Sequence, residues 1–142
     1  MRKLNQKGFT LIELVIIIVA LGIIASVAIP KYKSVVEESR SASCQAALGG
    51  MRSGISIYYA RQALETGTAV WPPYDSLRTI GVVMEQAIPK NPYCTRFPDS
   101  IVSVGAGVAK GTLRNGSRPG WVYKPSTGEI WANTNLSGEN EW

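Results

Sequence analysis

The sequence has no histidine, two cysteines, two phenylalanines and only 10 acidic residues against 15 basic ones in 142 positions. Without histidine it lacks the commonest general base and the commonest neutral metal ligand. Two cysteines cannot by themselves complete a four-ligand zinc site. No phosphate-binding glycine motif, nucleophile elbow or carboxylate pair of useful spacing is visible. These absences argue against an enzyme, and no cofactor and no metal is expected. The length suits one domain.

What is present is badly segregated. The apolar fraction of 45% is ordinary as an average, but Phe9 to Ile29 reads FTLIELVIIIVALGIIASVAI, 21 residues with Glu13 as the one charge. As a helix this segment spans roughly 31 Å, about the thickness of a bilayer's hydrocarbon core. The preceding MRKLNQKG carries Arg2, Lys3 and Lys7, an excess of positive charge that keeps the N-terminus cytoplasmic. Removing those three leaves 12 basic against 10 acidic side chains, so the net charge of +5 falls to +2. The basicity therefore speaks to membrane topology and argues against a nucleic-acid partner.

Three simple readings compete for this segment: a secretory signal cut just before Ile29, for which Ser26-Val27-Ala28 offers suitable small residues, a plain membrane anchor, and a buried helix, which the length disfavours. None explains Glu13. A carboxylate at mid-membrane costs about 2.5 to 3.5 kcal/mol, and such residues usually have a cationic partner.

Gly8-Phe9-Thr10-Leu11-Ile12-Glu13, within KGFTLIELVIIIVALGIIASVAIP, resembles the N-terminus of the type IV pilin family, which includes the pseudopilins of type II secretion. The resemblance implies cleavage by a prepilin peptidase between Gly8 and Phe9, methylation of the new Phe9 amine, and retention of the apolar segment. It also supplies the missing cation. In the family a glutamate at the position of Glu13 neutralises the N-terminal amine of a neighbouring subunit during assembly. Gly22 and Pro30 sit where the family's helices are irregular, and both weaken a helix by their own chemistry. The resemblance suggests local melting between them on assembly. Secretion pseudopilins commonly hold calcium through acidic residues near the C-terminus. Here that region has Glu129, Glu139 and Glu141 without aspartate, and Gly138 to Trp142 reads as a solvated tail, so calcium is not expected.

After Pro30 the sequence stays helical in period but becomes amphipathic. One stripe is Tyr32, Val35, Val36, Ser39, Ala42, Ala46 and Gly50; a second is Cys44, Leu48, Met51, Ile55, Tyr58 and Tyr59. The second is assigned to this chain's own globular part. The first, richer in small residues, is left for helices of other subunits.

From about Leu64 the chain turns to proline, glycine and short apolar runs. Asp75 starts a short helix after WPPY, Ile88 to Pro92 is extended loop, and Ile101 to Ala106 is a strand. Lys110 to Gly120 is a loop carrying Lys110, Arg114 and Arg118. The clearest unit is a hairpin in which WVYK and EIWAN flank Pro125-Ser126-Thr127-Gly128. It sets Lys124 opposite Glu129 and places Trp121, Tyr123, Ile130 and Ala132 on one face. Cys44 and Cys94 are candidates for a disulfide in an oxidising compartment, with two separate buried thiols as the alternative.

The expected fold class is α+β: a long N-terminal helix, apolar in its first half, packed on a small, roughly four-stranded antiparallel sheet, as in the pilin fold. The expected divisions are a leader at 1–8, a membrane and filament-core helix at 9–30, an amphipathic half at 31–62 and a globular head at 63–142. The expected function is a structural subunit held in the inner membrane, single-pass with its N-terminus cytoplasmic, which then polymerises through its N-terminal helix into an extracellular or periplasmic filament. Its expected partners are copies of itself, the prepilin peptidase, the inner-membrane assembly machinery and membrane lipid. The alternatives are a pseudopilin of a type II secretion pseudopilus and an anchored periplasmic enzyme or binding module.

Overall fold

The computed structural model describes residues 8–114, 119–136 and 138–142. The leader residues Arg2, Lys3 and Lys7 and the loop residue Arg118 lie outside the described residues. By its internal contacts the chain divides into two compact units, Met1–Glu38 and Ser39–Trp142.

Helix α1 runs from Leu11 to Thr66. Within the first unit every large apolar side chain of the helix except half-buried Val36 is exposed, from Leu11 at 80% to Val15 at 38%. The helix contains a window long and apolar enough to cross a membrane, and none of that window is buried. An apolar surface all round a helix belongs in lipid or among other helices. The helix runs on through Gly22 and through Pro30, although proline has no N–H to give the carbonyl one turn back.

In the second unit Cys44, Leu48, Met51 and Ile55 are buried, at spacings of four, three and four residues along one face of α1. Tyr58 and Tyr59 extend that face half-buried. It packs into one core cluster with Trp121, Tyr123, Ile130 and Ala132 of the sheet. The other face of the sheet carries Val122 and Trp131, covered by Val104 with Val102 and Val108. Burial on both faces explains why strand β2 (Pro119–Lys124) reads as a nearly continuous buried run.

Among the described residues the sheet has three strands in the order β1-β2-β3: β1 (Phe97–Ser103), β2 and β3 (Glu129–Ala132). β2 and β3 are antiparallel in the expected register, with Lys124 opposite Glu129 and Val122 opposite Trp131. β1, however, pairs with β2 in parallel, so the sheet is mixed where four antiparallel strands were expected. The sequence separation between Ser103 at the end of β1 and Pro119 at the start of β2 leaves room for the crossover that a parallel pair needs. β1 also begins before the apolar run at Ile101, because Gly120 lets the two backbones approach closely. A Cβ there would lie 2.1 Å from the Pro98 carbonyl oxygen. The short helix α2 covers Tyr74–Arg78, with Asp75 in its first turn.

Buried aromatic side chains tie the loops down. Trp121 Nε1 donates to the Pro89 carbonyl at 2.7 Å, Tyr123 hydroxyl to Pro72 at 2.7 Å and Trp131 Nε1 to Thr112 at 3.2 Å.

The C-terminal segment is not the solvated tail expected. Glu139 and Asn140 are buried. The Leu136 amide donates to Glu139 Oε1 at 2.9 Å, and Asn140 Nδ2 donates to the Gly111 carbonyl at 2.9 Å. The Trp142 ring meets Tyr93 edge-on at 6.3 Å, and Arg52 donates to the Trp142 main-chain oxygen. The segment reads as polar in sequence because its polar groups are what bind it to the fold.

Candidate functional site

The first candidate group lies in the opening turn of α1. Gly8 and Phe9 precede the helix in exposed chain without regular secondary structure, Phe9 being 84% exposed. Thr10 caps the helix reciprocally with Glu13. Thr10 N–H donates to Glu13 Oε2 at 2.8 Å, its hydroxyl donates to the same oxygen at 2.7 Å, and the Glu13 amide donates to Thr10 Oγ1 at 3.3 Å. This is a capping box, in which two amides without helical partners are satisfied by side chains. Thr-Leu-Ile-Glu carries that signal in sequence, where the charge of Glu13 stands out and the hydroxyl of Thr10 does not. The carboxylate sits at the positive end of the helix, with Oε2 taken by Thr10.

Along α1 the small-residue stripe is exposed at Tyr32, Val35, Ser39, Ala42, Ala46 and Gly50 and half-buried at Val36. In the second unit a shallow groove of about 520 Å³ runs beside it, lined by Ala46, Gly50, Met51, Val83 and Met84. Gly54 makes room for the loop that forms the far wall: an added Cβ would come within 2.8 Å of the Val83 carbonyl oxygen.

Cys44 and Cys94 also belong to the second unit, where Asn91 links their surroundings. Cys44 Sγ lies 4.0 Å from Asn91 Oδ1, and the Cys94 amide donates to the Asn91 carbonyl at 3.1 Å. Both residues are thiols here, Cys44 buried and Cys94 half-buried. Burial, and after it the nearby Glu139 carboxylate, pushes the Cys44 thiol up to about 11. Asn91 is itself 1% exposed and donates to the Gly120 carbonyl at 2.8 Å and to Thr134 Oγ1 at 3.2 Å. Sequence reading missed it, although Asn91-Pro92 is a turn-forming dipeptide. Among the described residues no group of three or more Cys, Asp or Glu is placed to hold a metal ion.

Comparison with known proteins bears on the first group. A family described as "Prokaryotic N-terminal methylation motif" matches residues 3–29. The fimbrial protein EcpC of Eikenella corrodens is 40% identical over 72 residues, 51% of this chain and 43% of that protein. The type IV major fimbrial protein FimA of Dichelobacter nodosus is 44% identical over 50 residues, 35% of this chain and 32% of that one. The type IV major pilin protein PilE of Neisseria gonorrhoeae is 36% identical over 67 residues, 47% of this chain and 36% of that one. The chain thus spans less than half the length of these relatives. No solved structure gives a significant match.

Proposed function

We propose that this chain, which belongs to the type IV pilin family, is a structural subunit of a type IV pilus-like filament that works by association and not by catalysis. The observation that carries this is the first half of α1: an apolar helix exposed on all sides, opening on a glutamate that Thr10 holds at its end. Such a surface requires lipid before assembly and neighbouring helices afterwards. The matched relatives are named as fimbrial and type IV major pilin proteins, which favours a pilus over a short secretion pseudopilus.

In this reading a prepilin peptidase cuts between Gly8 and Phe9, the Phe9 amine is methylated, and the helix anchors the subunit once in the inner membrane with its N-terminus cytoplasmic. Phe9 and Glu13 then make the assembly contact, in which Glu13 accepts the amine of a neighbouring subunit through the oxygen that Thr10 does not use. The helix between Gly22 and Pro30 loosens as the subunit leaves the bilayer. The exposed small residues along α1 allow helices of other subunits to approach closely. Cys44 and Cys94 pair when the second unit is oxidised outside the cytoplasm.

Glu13→Val tests the assembly step. It keeps the segment apolar, so the expected product is processed and membrane-inserted but yields few filaments when cells are sheared and the fibres counted by electron microscopy. Normal filament yield would remove Glu13 from the mechanism. N-terminal sequencing of the mature protein tests processing: methylated Phe9 fits this reading, Ile29 would indicate an ordinary secretory signal, and Met1 an uncut anchor.

A further inference from the structure

A cleft of about 310 Å³ opens between the loop that follows Asn91 and the chain leaving β3. Two arginines, Arg96 and Arg114, line it together with Thr134, Asn135, Leu113 and Cys94. Among the described residues no carboxylate lines it. Neither guanidinium has an ion-pair or hydrogen-bond partner among the described residues; Arg96 only lies over the Phe97 ring, 5.5 Å from its centre. An anion bound between two cationic side chains of one concave surface fills the donors of both.

The walls are fixed from beneath. Buried Asn91 accepts from the Tyr93 amide on one wall at 2.9 Å and donates to Thr134 Oγ1 on the other at 3.2 Å. Asn133 grips the main chain of Arg114 in both directions, accepting from its amide at 2.7 Å and donating to its carbonyl at 2.9 Å. Glu139, which follows Leu136 of this wall in sequence, is buried and accepts from the Leu136 amide. Among the described residues the Asn135 side chain and the Thr134 hydroxyl proton have no acceptor, which leaves them to donate to a ligand, and Leu113 supplies an apolar surface.

We propose that this cleft binds an acidic sugar residue, its carboxylate held by Arg96 and Arg114, its hydroxyls by Asn135 and Thr134 and its C–H face by Leu113. The dimensions favour one compact ring, since pockets of this size sit at the small end of the range for ligands. They disfavour duplex DNA, whose binding depends on a row of phosphate contacts that two cations do not supply.

The test uses the full chain in detergent micelles with sodium glucuronate as probe, read by saturation-transfer NMR and a titration. Glucuronate is expected to show ring contacts and saturable binding. Glucose, which lacks the carboxylate, should bind at least tenfold more weakly. Arg96→Ala/Arg114→Ala, two exposed positions, should weaken glucuronate at least tenfold with an unchanged circular dichroism spectrum. Inorganic phosphate binding as tightly as glucuronate would overturn the sugar assignment. Arginine-dependent DNA binding with no glucuronate binding would overturn it in favour of a nucleic-acid surface, and no binding by any probe would overturn the site.

Discussion

Thr10 and Glu13 hold each other at the start of α1: the threonine gives the carboxylate two hydrogen bonds, at 2.8 and 2.7 Å, and takes one from the glutamate's amide. The cap fixes where Glu13 points and leaves one carboxylate oxygen for a partner. Thr10→Val removes the hydroxyl while keeping the backbone donor, so the first turn should fray and filament yield should fall part-way toward that of Glu13→Val. Thr10→Ser keeps the hydroxyl and should restore both. Amide hydrogen exchange in the first turn, several-fold faster in the valine variant only, checks the structural part. Equal exchange and equal yield in all three proteins would show that the cap does not position Glu13.

The two ends of the fold were unequally readable from sequence. The buried face of α1 follows from spacing alone, because Cys44, Leu48, Met51 and Ile55 recur with helical period. The hairpin register follows from the four residues of its turn, which fix the pairing of Lys124 with Glu129. Pairing between β1 and β2 could not be read the same way. It depends on Gly120 approaching the Pro98 carbonyl across a long connection, and no local pattern encodes a contact of that range. The C-terminal segment misled for a different reason: Glu139 and Asn140 are polar by composition and buried by partnership. At the N-terminal site Glu13 stood out by its charge, whereas Thr10 acts through a hydroxyl that blends into an apolar run.

Gly128 ends the hairpin turn with φ 72° and lies against Trp71, where an added Cβ would fall 2.3 Å from Cε3 of the indole. Trp71 in turn stacks on Tyr59 of α1 with ring centres 4.1 Å apart. Gly128→Ala therefore meets both backbone strain and a steric clash, and should cost about 3 kcal/mol. Gly138 has a similar φ of 78° with nothing within 4 Å of its added Cβ, so Gly138→Ala should cost only about 1 kcal/mol. Denaturant unfolding of both variants followed by tryptophan fluorescence checks the difference. Equal costs would mean that Trp71 moves aside without loss.

Arg52 is half-buried and spans two separate stretches of chain, donating to the Ile130 carbonyl at 3.0 Å and to the Trp142 main-chain oxygen. Arg52→Met keeps most of the apolar stem and removes both bonds. The expected loss is about 2 kcal/mol, since the partners are left without a charged donor. It should be concentrated in the C-terminal segment, so hydrogen exchange at 138–142 should accelerate while the β2–β3 ladder keeps its protection. Uniform acceleration across the sheet would show instead that Arg52 supports the hairpin through Ile130.

The Cys44 thiol gives the reduced protein an alkaline limit. Its folded value, raised to about 11 mainly by burial, lies above that of an exposed thiol, so the folded state holds its proton longer than the unfolded chain. Stability from this source is full below about pH 9 and is lost as pH rises through about 11, by roughly 2 kcal/mol. Tyr123 acts in the same direction at higher pH, because burial also raises its phenol. Oxidation that joins Cys44 to Cys94 removes the thiol, along with two electrons and two protons passed to the oxidant, and closes a loop worth around 4 kcal/mol in chain entropy. The oxidised protein should therefore unfold at higher denaturant than the reduced one at pH 7, and should lose less stability between pH 8.5 and 10.5. Mass spectrometry after alkylation without reductant establishes which form is present: one intact bridge leaves both cysteines unmodified. If oxidised protein still alkylates at both positions once unfolded, the pairing is wrong and the two residues act only as thiols.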